Sequence, residues 1–176
     1  MMKTKWLAVL GLLVMAQAQA FEQIEANVKY PAGMGTVSSG FSSMVGFGAS
    51  VYMAPMIDPS VKNYLSVAYN GYRIRADGSS SLKLIPVLFN LEAGGNVFKD
   101  LRSTIAVGAG IGSSFVNVTS QTSFNWSVHF AAQIKPGVEY VIDENITVVG
   151  HTPVTFYVSR AVMSSMDFDL GVSFKL

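Results

Sequence analysis

Two histidines, His129 and His151, and a scatter of carboxylates are the residues of this chain whose types could do chemistry. Ser127 precedes His129 by two positions and Glu139 follows on the same segment, which raises nucleophile and base catalysis as a first reading. On an extended chain Ser127 and His129 share a face but stand about 7 Å apart at about 3.3 Å per residue, too far for direct activation of the hydroxyl. Two histidines without any cysteine make a poor donor set for a metal ion. Gly108-x-Gly110-x-Gly112 precedes no helix pattern and so is not a phosphate loop. No catalytic, cofactor or metal site is expected. Glu92, His129, Lys135, Glu139, His151, Asp167 and Asp169 are expected to satisfy one another in a polar network on an enclosed face, because unpaired buried charges are costly.

The elements that would enclose such a face are strands. Apolar residues recur at every second position along almost the whole chain, with turn residues between the runs. Eight segments result: Glu22 to Tyr30, Gly46 to Ile57, Lys62 to Arg75, Ser81 to Glu92, a fifth around Ile105 to Ile111, Phe124 to Ile142, Ile146 to Ser159, and Met166 to Leu176. The fourth is apolar on both faces; Asn90 and Glu92 argue that its even positions point inward. Asp58-Pro59-Ser60 and Asp143-Glu144-Asn145 carry turn chemistry, and Ala93 to Ser103 reads as a longer connection. Gly108, Gly110 and Gly112 lie in a row on one face of the fifth segment, leaving either a void or room for a large neighbour such as Tyr52 or Tyr72. Eight strands joined to their neighbours in sequence predict an all-β, antiparallel up-and-down barrel, preceded by a cleaved signal peptide.

The signal is residues 1–20. Lys3 and Lys5 precede an apolar run from Trp6 to Ala16, and Ala18-Gln19-Ala20 supplies the small-x-small cleavage pattern, so Phe21 is expected to begin a single barrel domain, 21–176. That domain carries ten basic and eleven acidic side chains, which gives no electrostatic case for nucleic acid. It has no apolar run near the roughly 18 residues of a transmembrane helix.

Which solvent each face meets follows from composition. A barrel in water should put many charges on its outer face, yet only 13% of this chain is charged while 50% is hydrophobic. The less apolar face is mostly Gly, Ser, Ala, Asn and Thr, which suits a narrow interior. Tyr30, Tyr69, Phe115, Phe124, Trp126, Tyr140, Phe156 and Phe174 stand near strand ends on the apolar face, where membrane barrels carry aromatic girdles.

The runs STIAVGAGIGSSF (Ser103 to Phe115), FAAQIKPGVEYVIDENITV (Phe130 to Val148) and FDLGVSFKL (Phe168 to Leu176) resemble, in order and spacing, those of the small eight-stranded outer-membrane β-barrels of Gram-negative bacteria. That group includes the outer membrane protein A barrel and the opacity-type surface proteins. The resemblance implies residence in outer-membrane lipid, delivery by periplasmic chaperones and the barrel-assembly machinery, and a terminal assembly signal at Phe174 and Leu176. The family usually ends in an aromatic residue, and Leu176 departs from that. It also implies that the turns at Asp58, Ala93 to Ser103 and Asp143 to Asn145 face the periplasm. Pro31 to Val45, Ala76 to Ser80, Asn117 to Ser123 and Arg160 to Ser165 would then face outward. A structural or passive envelope role with a side-chain-filled lumen is expected; a narrow channel or carrier for small or hydrophobic molecules, then a surface adhesin, are the alternatives.

Overall fold

The computed structural model describes residues 21–32, 40–75, 80–117, 124–159 and 162–176. Its strands are β1 (Phe21–Pro31), β2 (Phe41–Ser43), β3 (Gly46–Met53), β4 (Val61–Ile74), β5 (Ser81–Asn96), β6 (Leu101–Asn117), β7 (Phe124–Val141), β8 (Ile146–His151), β9 (Val154–Val158) and β10 (Val162–Lys175). Every pairing is antiparallel. β2 with β3, and β8 with β9, each form one interrupted crossing, so ten strands make eight crossings. The pairing of β1 with β10, from Gln23↔Lys175 to Pro31↔Asp167, closes the sheet on itself. Closure removes the two open edges that β1 and β10 would otherwise present, which hydrocarbon would penalise by several kcal/mol per unpaired group.

Several boundaries differ from the sequence expectation. Ala93 to Ser103 is not a long connection: β5 and β6 pair out to Asn96↔Arg102, and only 97–100 turn the chain. The last strand begins at Val162 rather than Met166, because Val162 to Met166 pair with β9. The seventh crossing is broken at Thr152-Pro153, where proline has no N–H to give the ladder. The second ends at Met53, not Ile57, and gains β2 from the stretch expected to be loop. In the fourth, the even positions Leu82, Leu84, Leu88, Asn90 and Glu92 are buried, as Asn90 and Glu92 suggested.

Two turns owe their form to an aspartate. Asp58 Oδ1 accepts from the Ser60 backbone N–H at 2.8 Å and from its hydroxyl, and these bonds hold the exposed Asp58 carboxyl below the usual carboxylate range. Asp143 Oδ1 accepts from the N–H groups of Asn145 and Ile146, both at 2.8 Å. These turns, the 97–100 turn, the start of β1 and the end of β10 lie at one rim, hereafter the turn end; Leu176 N–H donates to Glu22 O, and Lys175 N–H to Asn145 O. The opposite rim is the loop end.

The outer wall is apolar. Phe47, Leu65, Val107, Phe130, Ile134, Phe168 and Leu170 are all exposed, Leu170 by 67%. A soluble fold would hide such residues, so a continuous exposed apolar belt requires a solvent other than water. Tyr30, Trp126, Tyr140 and Phe174 are exposed near strand ends, while Tyr69 and Phe115 are half-buried. At about 3.3 Å per residue, the 17 and 18 residues of β6 and β7 exceed what a tilted bilayer crossing of about 9 to 11 residues needs.

Candidate functional site: the occupied lumen

Alternation sends the other half of each strand into the lumen, and the turn-end half is ionic. Lys62 Nζ lies 3.0 Å from Glu139 and 3.5 Å from Glu92, and Arg102 lies 3.7 Å from Glu139 at the rim. Further in, Glu25 gathers four partners. Tyr52 donates its hydroxyl at 2.7 Å and Asn27 its amide at 3.0 Å, while Lys135 Nζ stands at 3.3 Å and His151 Nδ1 at 3.9 Å. The rings of Tyr52 and Tyr64 pack at 4.4 Å, with Lys62 over one ring and Lys135 over the other. Beyond them Lys29 pairs with Asp169 at 2.5 Å and with Asp167 at 3.8 Å, and Asn70 donates to Asp167 at 2.9 Å.

The loop-end half is apolar. Tyr72, Leu82, Leu84, Leu88, Ala131 and Tyr157 form one buried cluster, with Phe41, Val116 and Met163 packed against it. Between the halves, Gln133 donates to Thr155 at 2.7 Å.

Glycines shape both halves by what they omit. A Cβ on Gly112 would sit 2.7 Å from Tyr157 Cδ1, so it is Tyr157, and not Tyr52 or Tyr72, that fills the space on the glycine row. Gly108 makes room for the Asn90 amide, and Gly137 for the His151 ring. The row is filled rather than left as a void.

Of the residues expected in the network, Lys135 and His151 meet at Glu25, Glu92 and Glu139 meet at Lys62, and Asp167 and Asp169 meet at Lys29. His129 stands apart: its Nε2 lies 2.7 Å from Ser114 Oγ, across the strand pair, and its ring meets Tyr157 edge-on at 6.5 Å. Ser127 is exposed and pairs in register with Ser114. A serine and a histidine within hydrogen-bond reach have the outline of a hydrolytic dyad; both are buried, and among the described residues no group is bonded to His129 Nδ1. Glu25, Lys29, Lys62 and Arg102 were absent from the expected network. The first two were recoverable, since Glu25, Asn27 and Lys29 alternate with apolar Ile24, Ala26 and Val28.

A closed eight-crossing sheet with an apolar wall and an ionic interior decides the architecture. The chain folds as an eight-stranded, antiparallel, up-and-down β-barrel with the apolar outer wall of a transmembrane barrel. Sequence comparison finds no matching family model and no matching curated protein. Solved structures do match the barrel. Neisserial surface protein A aligns with a TM-score of 0.64 at 14% identity, over 88% of this chain and 96% of its own. The N-terminal β-barrel domain of OprF from Pseudomonas aeruginosa aligns at 0.55 and 16%, over 90% and 100%. Ail, the attachment invasion locus protein of Yersinia pestis, aligns at 0.53 and 11%, over 89% and 97%. At these identities the likeness concerns the barrel's fold alone. Ala18 and Ala20 lie outside the described residues, as do most of the loops expected to face outward.

Proposed function

We propose that this barrel resides in the bacterial outer membrane as a structural or passive envelope protein, with its lumen filled by side chains and without enzymatic activity. The observation that carries the reading is the occupied interior. The cavity lined by Asn27, Lys29, Ser50, Leu88, Gln133 and Lys135 holds about 20 Å³, room for a single water. Above it the apolar cluster leaves dissolved ions no hydrated route. Delivery follows cleavage after Ala20, with Phe174 and Leu176 as the signal read by the assembly machinery. N-terminal sequencing of the membrane-extracted protein is expected to start at Phe21. Planar-bilayer recordings of the purified barrel are expected to show no stable conductance step. A robust open level would overturn the closed-lumen reading, and recovery as a soluble periplasmic protein would overturn the membrane assignment itself.

A further inference from the structure

The charges of the lumen do not balance at the barrel middle. Toward the turn end Lys62 and Arg102 face Glu92 and Glu139, and Lys135 faces Glu25 with His151 beside it. On β10 the single ammonium of Lys29 faces two carboxylates, Asp167 and Asp169. Among the described residues no other cation comes within ion-pair distance of either one. Both carboxylates are buried, Asp167 to 1% exposure. One negative charge is therefore left over where bulk water cannot screen it, and an uncompensated buried charge is costly.

Oxygen atoms without partners gather at the same spot. Asn70 and Lys29 both address Asp167 Oδ2, which leaves Oδ1 buried and without a hydrogen bond. The Tyr72 side chain lies against Asp167 and Ser165, and the Tyr157 side chain against Ser165 and Asn70. Both tyrosine hydroxyls and Ser165 Oγ are likewise buried, with no hydrogen-bond partner among the described residues. Buried polar atoms in native proteins are nearly always satisfied, so four that converge in this way point to a shared ligand. They come from three crossings, through β4, β9 and β10, so the group is assembled only in the closed barrel.

We propose that these four oxygens form a binding site for a small monovalent cation of the sodium type. Asp167 Oδ1 supplies the charge, and Tyr72, Ser165 and Tyr157 supply neutral oxygens. Every donor is hard, which suits an alkali ion rather than a transition metal, and among the described residues no group of three or more His, Cys, Asp or Glu offers a transition-metal site. One positive charge restores neutrality against Lys29, Asp167 and Asp169, whereas a divalent ion would overshoot it. Asn70 is a positioning residue, because its amide holds Asp167 Oδ2 and leaves Oδ1 to the ion. Asp167 and Ser165 sit on β10, the strand that closes the seam, so the ion is taken up as the barrel closes. The apolar cluster, to which both tyrosine rings belong, then seals it in. Only this sealing rests on the closed lumen; the site itself does not.

Refolding the urea-denatured barrel into detergent micelles tests it, in sodium chloride or choline chloride at equal ionic strength. Heat-modifiable gel migration reads the folded fraction, and elemental analysis after desalting into choline chloride reads bound sodium. A single sodium ion per barrel is expected. Above half-saturation the folding constant should rise about tenfold for each tenfold rise in sodium. Asp167→Asn is expected to fold equally in the two salts and to hold no sodium. Tyr157→Phe keeps the ring and loses one oxygen, and should raise the sodium needed for half-saturation at least tenfold. Lys99→Gln, in the 97–100 turn, should leave the response unchanged. Equal folding of the parent barrel in both salts would overturn the proposal and assign the four oxygens to a water or a proton. A sodium response that survives Asp167→Asn would overturn it too. Loss of sodium on desalting with the response intact would keep the site and count against the closed lumen.

Discussion

The two halves of the lumen solve the same filling problem with opposite chemistry. From the turn end to the barrel middle, Glu25, Glu92, Glu139, Asp167 and Asp169 are set against Lys29, Lys62, Lys135 and Arg102; toward the loop end, tyrosine and leucine side chains pack into one cluster, with Asp167 at its border through Asn70. Buried ion pairs are weak sources of stability, because desolvation offsets most of the attraction, but they fail badly when one partner is lost. An apolar cluster gains steadily from burial and fails by the volume removed.

The largest effect is expected from breaking the ionic half on one side only. Glu25→Ala leaves Lys135 buried without its carboxylate and should cost about 3–5 kcal/mol, measured by urea unfolding in detergent. Adding Lys135→Met to Glu25→Leu removes both charges and is expected to recover most of that loss; no recovery would mean the pair is a net source of stability. Next comes the apolar half: Leu84→Ala should cost about 2–5 kcal/mol, with no rescue from any charge change. Gly112→Ala drives a methyl against the Tyr157 ring and should cost about 1–3 kcal/mol. Tyr157→Leu in the same chain should relieve part of it, and strictly additive losses would show that the ring does not fill that space. The smallest effect is at the rim. Arg102→Ala removes a partly exposed partner of Glu139 and should cost under about 1 kcal/mol, shrinking further in about 1 M salt.

How much of this was legible in the sequence depends on which interaction range is asked about. The alternation Met166 to Phe174 set the outward face of β10, and the same face is exposed at Phe168, Leu170 and Phe174. Strand identity and facing are local, since a period of two survives any choice of neighbour. Partners are not local. His129 meets Ser114 through the β6–β7 register, and Tyr157 reaches Gly112 because β9 crosses beside β7. Neither follows from spacing along one strand. The turn at 97–100 was hidden because Gly94 and Gly95 look like loop residues, yet both pair with β6. The proline break at 153 carried a visible signal in the missing N–H donor, and was overridden by the apolar alternation around it.

The seam between β1 and β10 has a kinetic consequence. Gln23 hydrogen-bonds to Ser173, 150 positions away, so closure joins the most distant strands of the fold. Contacts of such sequence separation are slow to form, because the loop entropy is lost before any pairing returns it. Until β10 arrives, β1 must wait as an open edge, so assembly cannot be finished strand by strand as the chain emerges. The barrel closes last at its own beginning.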